Sequence, residues 1–539
     1  MGNPFTDPTP APAPVDGLPR SMALSLPHKD QPLLTLGPTP EQLSGGSPKT
    51  PSAGTVIPYA EEGFTGQELA ELPTTLPFEF ATSGHPAFDV PESMRPWRNR
   101  PLVSKTANYD SAGVAMFKDA SGKLWDHPVL QIQFGLSALA AYRTSQDPWY
   151  LTKAKLHAQR QIDRRVVLRG AWWFPYPFDW SHTVHTGLDF KAPWYSGMAQ
   201  GEALSLFVQL AQMPEITAEE RAVYLDAADN VFASFFVGDD AQPWFMLVDA
   251  EGYAWIQEYP VDAPGTSDFT FNGMIFALFG LWDYYRQTQN ELALKLWDGG
   301  LTTIDHYFSR LRNPNWISYY CNTHRSPAAL GYTYHHHHVN QFMQLAWLSG
   351  RFSFARQMDR LIDDYSSSLL TEAGGTVAFA AGTHTLYKFD TRSDGSYSQT
   401  RNDAQLATKK VTFTRATSAP ASMRRRIKGC GVYYRISAGA YAGWWVGEYY
   451  PKAFLRGQWL TRSYLPHRTL TFPANVARTV YLYGTGGSGG STKTVKFVAD
   501  SNAPFDQRAY INGRAMLRIS AGRLTGYWVW QGDVRTDGL

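Results

Sequence analysis

At 539 residues the chain exceeds what one core organises, and at roughly 100–200 residues per domain three or four units are expected. Forty-nine basic against 47 acidic residues leave a formal charge of +2, which excludes the strong field of a nucleic-acid or anionic-membrane binder, so an acidic ligand has to be held by local contacts. A 43% hydrophobic, 18% charged composition is that of a globular protein, and the 14% aromatic content points to sugar stacking or a packed β-surface.

The opening MGNPFTDPTPAPAPVDG has no basic stretch followed by an apolar one, and no run of 18 apolar residues occurs, so neither a signal peptide nor membrane insertion is expected. Thirteen of the 35 prolines fall in the first 60 residues among Gly, Ser and Thr. Residues 1–75 therefore read as an extended Pro-rich arm, suited to lying on a partner. LPFEF (76–80) and VAMFKDASGKLW (114–125) alternate apolar and polar residues and predict a short β-region over 76–128.

Helical periodicity then runs over 129–144, 148–167, 198–213, 217–236, 272–289, 291–311, 338–349 and 352–367. Short links within pairs and long aromatic-rich links between them predict four helical hairpins over 129–367. Such hairpins commonly close into an α/α toroid, with chemistry on the long loops.

From residue 372 the pattern turns to β, with an internal repeat. FTRATSAP (413–420) matches FVADSNAP (497–504), and ISAGAYAGWWV (436–446) matches ISAGRLTGYWV (519–529), which predicts two tandem β-modules over 372–452 and 464–535. Trp444, Trp445, Tyr527 and Trp528 sit there, half of them facing the core by strand alternation. The run Arg424-Arg425-Arg426 reads as a solvated loop. Cys321 and Cys430, far apart in sequence, do not make a disulfide framework.

Three segments carry candidate chemistry. WYSGMAQGEALSLF (194–207) opens a helix with two glycines, which serve either tight packing or an anion. WIQEYP (255–260) places Glu258 and Tyr259 ahead of the helix beginning near Asn272. YTYHHHHVNQF (332–342) sets Tyr334 and four histidines at another helix start. Consecutive histidines point in different directions, so a cleft wall is expected there and no metal site.

Taken in order, Tyr195 to Gly201, Glu258 to Pro260, Asn272 to Gly280, and Tyr334-His335 with His338 and Gln341 resemble the motifs of the D-glucuronyl C5-epimerases, over roughly residues 125–365. FPYPFDW (174–180) resembles the loop before the first motif. Where the family carries a second Glu this chain has Gln257, and where it has Tyr-Asp-Leu the chain reads Tyr319-Tyr320-Cys321. The resemblance implies Glu258 and Tyr334 as an opposed acid–base pair across a uronate ring, assisted by Tyr259 and Tyr319. It implies substrate contacts from Tyr195, Gln200, Asn272, His335, His338 and Arg325, with Arg325 or the histidines as the carboxylate's counter-charge. No cofactor is implied.

The chemistry is consistent with such residues. Taking the C5 hydrogen of a uronate builds negative charge onto its carboxylate, which has to be hydrogen-bonded or neutralised while a side chain removes the proton. Expected, then, is a binder of uronic-acid glycans, with C5-epimerase activity as its candidate reaction. Lacking an export signal, the chain is expected to reach such glycans as an extracellular virion tail component, associating with tail proteins through its arm as part of an oligomer or assembly. An inactive receptor-binding minor tail protein and a polysaccharide lyase are the alternatives.

Overall fold

In the computed structural model of the chain the described residues are 72–98, 107–182, 188–263, 266–323, 325, 332–365, 375–389, 405–427 and 431–536. The expected arm lies outside them apart from residues 72–75, as does Cys430. The fold combines helices with several antiparallel sheets. Contacts divide it into two compact units, one spanning Lys29–Leu311 and Tyr319–Leu330, the other Arg312–Ser318 and Gly331–Leu539.

Three helical hairpins build the first unit: α1 (Pro128–Ser145) with α2 (Pro148–Arg164), α3 (Gly197–Ala211) with α4 (Ala218–Phe232), and α5 (Phe271–Thr288) with α6 (Glu291–His306). Local chemistry ends and starts them. Gln146 and Gln289 take left-handed φ of 58° and 57° after α1 and α5, and the next residues, Asp147 and Asn290, cap α2 and α6 through their side-chain oxygens. Thr217 and Glu220 form a reciprocal capping box on α4.

All of α3 is buried, packed between α1 and α5. The glycines of its motif and of α5 explain how closely: a Cβ on Gly280 would overlap the Gly201 carbonyl oxygen, and one on Gly201 would overlap Ala277. Of the two uses open to these glycines, tight packing is the one seen at this crossing.

The links between pairs carry hairpins of two or three residues per strand: β3 (Val166–Leu168) with β4 (Ala171–Trp173), β5 (Trp180–Ser181) with β6 (Asp189–Phe190), and β7 (Met246–Val248) with β8 (Ala254–Ile256). Ahead of α1, the expected β-region reduces to β1 (Phe117–Lys118) and β2 (Leu124–Trp125), and LPFEF forms no strand. The stretch just after it, 83–88, is held by side chains: Asp298 accepts the N–H groups of Ser83, Gly84 and His85, while Trp297 and Trp282 donate to the carbonyls of Pro86 and Phe88. A backbone bonded in this way needs no partner strand.

In the second unit, α7 (Tyr332–Ser349) and α8 (Phe352–Asp364) accompany two seven-stranded sheets. The strands are β9 (Gly375–Phe379), β10 (Gly382–Phe389), β11 (Gln405–Phe413), β12 (Thr417–Ile427), β13 (Gly431–Ile436), β14 (Trp445–Gly447) and β15 (Ala453–Leu455) in the first. The second holds β16 (Gln458–Phe472), β17 (Arg478–Leu482), β18 (Ser491–Val495), β19 (Ser501–Ile511), β20 (Arg514–Ile519), β21 (Trp528–Trp530) and β22 (Arg535–Thr536). Their orders, β11-β10-β14-β13-β12-β9-β15 and β18-β17-β21-β20-β19-β16-β22, are the same topology written twice. Trp445 and Trp528, each the first residue of its strand, are buried, and Trp444 and Tyr527 just before them are half-buried.

The three arginines are not a solvated loop. They lie within β12, Arg424 and Arg425 are buried, and Arg424 pairs with Glu448 at 3.0 Å. Adjacent residues of a strand point to opposite faces, so both faces are covered here, and for Arg424 a carboxylate offsets the cost of burial.

Acidic residues of α8 meet sheet and loop arginines in the same unit. Asp359 pairs with Arg462, Tyr464 donates to it at 3.3 Å, and Arg312 grips Asp364 with two bonds of 2.6 and 3.0 Å. This ionic face accounts for the helical hairpin grouping with the sheets.

Candidate functional site

Within the first unit, three loop segments converge on one recess of about 400 Å³, counted with its open mouth. Tyr176, Phe178 and Trp180 come from FPYPFDW, Trp194 and Ser196 from the start of α3, and Glu258 and Tyr259 from the turn after β8. Phe117, His127 and Val129 complete the wall from the segment that enters α1.

The aromatic wall is fixed by backbone pairing as well as by ring contact. Tyr176 and Trp194 form an antiparallel bridge, and their rings stack with centroids 3.8 Å apart at 14°. Trp194 Nε1 donates to the Phe178 carbonyl at 2.8 Å, and Trp180, paired with Phe190 across β5–β6, stacks on Trp194 at 5.6 Å. Trp180 also lies 5.0 Å from Tyr259.

Glu258 is the acid of the recess. Its Oε2 accepts a hydrogen bond from Thr270 Oγ1 at 2.9 Å, and the Tyr259 side chain is a second hydrogen-bond partner. The carboxyl lies over the first turn of α5 so closely that a Cβ on Gly273 would overlap it. Burial pushes its pKa up to about 7; the bonds from Tyr259 and Thr270 pull it down, and the nearby Asp268 adds a smaller upward push. A helix N-terminus favours an anion by only about 0.3–1 kcal/mol, too little to offset complete desolvation.

The support behind Glu258 is built from strained backbone. Phe269 holds φ at 54°, its N–H bonded to Gln257 Oε1 at 3.1 Å and its carbonyl to the Asn322 N–H at 3.1 Å. Thr270 bridges Cys321 in the next step. The Tyr319-Tyr320-Cys321 stretch and Gln257, both departures from the epimerase motifs, thus set the backbone that aims Thr270 at the carboxyl. His182 approaches Asp268 at 3.6 Å and turns its ring edge to Tyr259 at 5.0 Å.

Other expected site residues take different places. Gln200 is consumed by structure: its amide donates to the Trp172 carbonyl at 2.7 Å and to Ser234 at 3.0 Å, and accepts from the Phe174 N–H at 3.3 Å. It pins the FPYPFDW loop to α3. Tyr195 is buried edge-on against Trp173, which pushes its hydroxyl up to about 12. Asn272 is buried in the first turn of α5. Tyr319 is half-buried beneath the exposed Arg325 guanidinium, 4.6 Å away.

Tyr334, His335 and His338 belong to the second unit, all buried on α7. His335 Nδ1 accepts the Ser318 N–H at 3.0 Å, so its neutral ring donates from Nε2 to the Tyr365 carbonyl at 2.7 Å. Burial lowers His335 to about 4 and His338 well below its ordinary value. Both are neutral at pH 7, and the expected counter-charge does not come from them. Among the described residues, no three His, Cys, Asp or Glu side chains converge as a metal-ligand set.

Residues 170–362 match the family model described as the D-glucuronyl C5-epimerase C-terminus. The match contains the three segments that meet at the recess from 174–180, 194–196 and 258–259, and leaves the entry to α1 outside. A search of the curated proteins finds no match. Among solved structures, a family 76 glycoside hydrolase from a bovine Bacteroides thetaiotaomicron strain superposes with a TM-score of 0.25 at 11% identity, over 36% of this chain and 37% of the other. A family 76 glycoside hydrolase (mannosidase) from Bacteroides thetaiotaomicron VPI-5482 gives 0.26 at 11%, over 48% and 60%. The chain thus spans less than two thirds of either enzyme.

Sequence reasoning did not single out His127, Thr270 or the His182–Asp268 pair, and it took Trp194 and Ser196 only as part of the 194–207 segment. Thr270 carries a local signal, standing directly before a motif helix; the others reach the site only through the loops' path.

Proposed function

We propose that this chain binds a uronic-acid glycan and that Glu258 exchanges the proton at C5 of the bound uronate. The observation that carries the reading is a wholly buried carboxyl with a pKa of about 7, in an aromatic recess where three epimerase-like segments meet. At neutral pH such a group is present both ionised and protonated, so it serves as base in one direction and acid in the other. Aromatic faces suit the apolar face of a pyranose ring.

In the reaction, the C5 proton moves to the Glu258 carboxylate and the C–H electron pair delocalises into the sugar carboxyl group. Reprotonation from the opposite face inverts C5. Tyr259 steadies Glu258 through their hydrogen bond, and a solvent-derived proton delivered on the opposite face completes the inversion. An α/α toroid belongs to the same proposal, supported by the contact between the two helices of each hairpin. The virion-tail setting belongs to it too, on composition alone.

Incubation with glucuronate polymers in deuterated water tests the reading. Deuterium is expected at C5 in both epimers, abolished by Glu258→Gln. New unsaturated ends would mean a lyase, and binding without exchange a receptor module. Exchange that survives Glu258→Gln would remove Glu258 from the chemistry.

A further inference from the structure

His127 stands at the N-cap of α1, outside the segment that matches the epimerase family model. Its Nδ1 accepts the Leu130 N–H at 3.1 Å, closing one of the free donors of the first turn. Imidazole is a poor choice for that task alone. The other side-chain caps in this unit use Asp147, Thr217 and Asn290, the residue types that do it best. What a histidine adds is a second nitrogen.

With Nδ1 committed as an acceptor, the neutral ring carries its proton on Nε2. Burial lowers the pKa to about 3, so the ring stays neutral throughout the physiological range. Its plane is held by Tyr176, edge-on at 4.9 Å, and by Phe117 at 5.8 Å and Phe178 at 6.0 Å. The same ring forms part of the recess wall that contains Glu258 and Tyr259.

Among the described residues that line this recess none is Lys or Arg. A sugar carboxylate entering it loses water and meets no cation, so it has to be received by O–H and N–H donors. Tyr176 accepts the Val129 N–H at 3.4 Å and keeps its own O–H to give, and Ser196 adds a second hydroxyl to the wall. Tyr259 is bonded to Glu258.

We infer that the His127 Nε2–H, held outward by the cap bond on Nδ1, donates a hydrogen bond to the carboxylate of the bound uronate. This rests on the uronate reading above and adds a catalytic residue to it. As the C5 proton passes to Glu258 and negative charge grows on the sugar carboxyl group, the bond from His127 strengthens, and the imidazole keeps its proton throughout. A neutral donor suits this role because it adds no fixed cation to bind the ground state too tightly.

Two substitutions separate donor from cap. His127→Asp preserves the cap, as Asp147 does for α2, but presents a carboxylate in place of a donor. His127→Asn also preserves the cap and is too short to reach the sugar. The full-length protein is titrated with glucuronan and hyaluronan oligosaccharides and with their carboxyl-reduced forms, by tryptophan fluorescence, and C5 deuterium uptake is followed in parallel.

The Asn variant is expected to unfold within a few degrees of wild type, and the Asp variant, which buries a carboxylate, at a lower temperature. For the acidic oligosaccharides the Asn variant should lose about tenfold in affinity and the Asp variant about a hundredfold. Neither should change much for the reduced forms, and exchange should fall further than binding. Equal losses for acidic and reduced forms, or unchanged acid binding by the Asp variant, would overturn the inference and leave the role of Glu258 standing. Wild-type protein that binds none of the acidic oligosaccharides would overturn the uronate reading and this inference with it.

Discussion

Removing a carboxyl group from water favours its protonated form, and Glu258 shows which neighbours oppose that. Its native pKa of about 7 lies above the unfolded value of 4.5, so the folded state holds the proton more tightly. The stability this contributes is complete below about pH 4.5 and is lost as pH rises through 7, on the order of 3 kcal/mol. Glu258→Gln is neutral at every pH and escapes the loss. Thermal unfolding of the two proteins at pH 5 and pH 8.5 should therefore show the Gln variant gaining on wild type at the higher pH; parallel curves would mean that the carboxyl is not buried as described. At the same scale, His335 illustrates why residue type does not settle charge. Its ring nitrogens hold Ser318 and Tyr365 in place, and burial keeps it neutral.

Among the helices, the decisive contact is between α3 and α5, where backbone meets backbone. Gly280 leaves no room for a Cβ beside the Gly201 carbonyl, and backbone cannot rotate away as a side chain does. Gly280→Ala is expected to destabilise the first unit by about 2–4 kcal/mol, read from denaturant unfolding. Gly238→Ala, where nothing lies within 4 Å, is the control and should change little. Because α3 and α5 both begin at the recess, forcing them apart should also lower C5 exchange. The sequence pattern made these helices readable, since period and caps are local. It read LPFEF as a strand from its alternation, yet no strand forms there, and the backbone just after it, at 83–88, is bonded to Asp298 and two tryptophans 194 to 215 residues further on.

Across the molecule, the duplicated modules show one topology carrying two electrostatic solutions. Arg424 and Arg508 occupy the same register, opposite Tyr434 and Leu517. The first is balanced within its own sheet by Glu448, whereas the second meets Gln531 at 2.6 Å and the charge of Asp363 on α8. Glu448→Ala should therefore cost about 3–5 kcal/mol by leaving a buried guanidinium without its counter-charge. Glu448→Gln, which keeps an acceptor as the second module does, should cost less than half of that. Equal losses in chemical denaturation would mean that the charge of Glu448 is immaterial.

What the sequence by itself determined is what neighbours in the chain determine. Helix limits follow from period and capping residues, hairpin pairing from short links, and the twin sheets from a repeat that preserves strand pattern. The motif segments around 174–180, 194–201 and 258–260 were legible for the same reason, as continuous strings. Only the tertiary structure decided that these strings share a recess with His127, that the arginines at 424 and 425 are interior, and that His335 and His338 are uncharged. Burial and pKa depend on which distant segments exclude water around a group, and no local pattern records that.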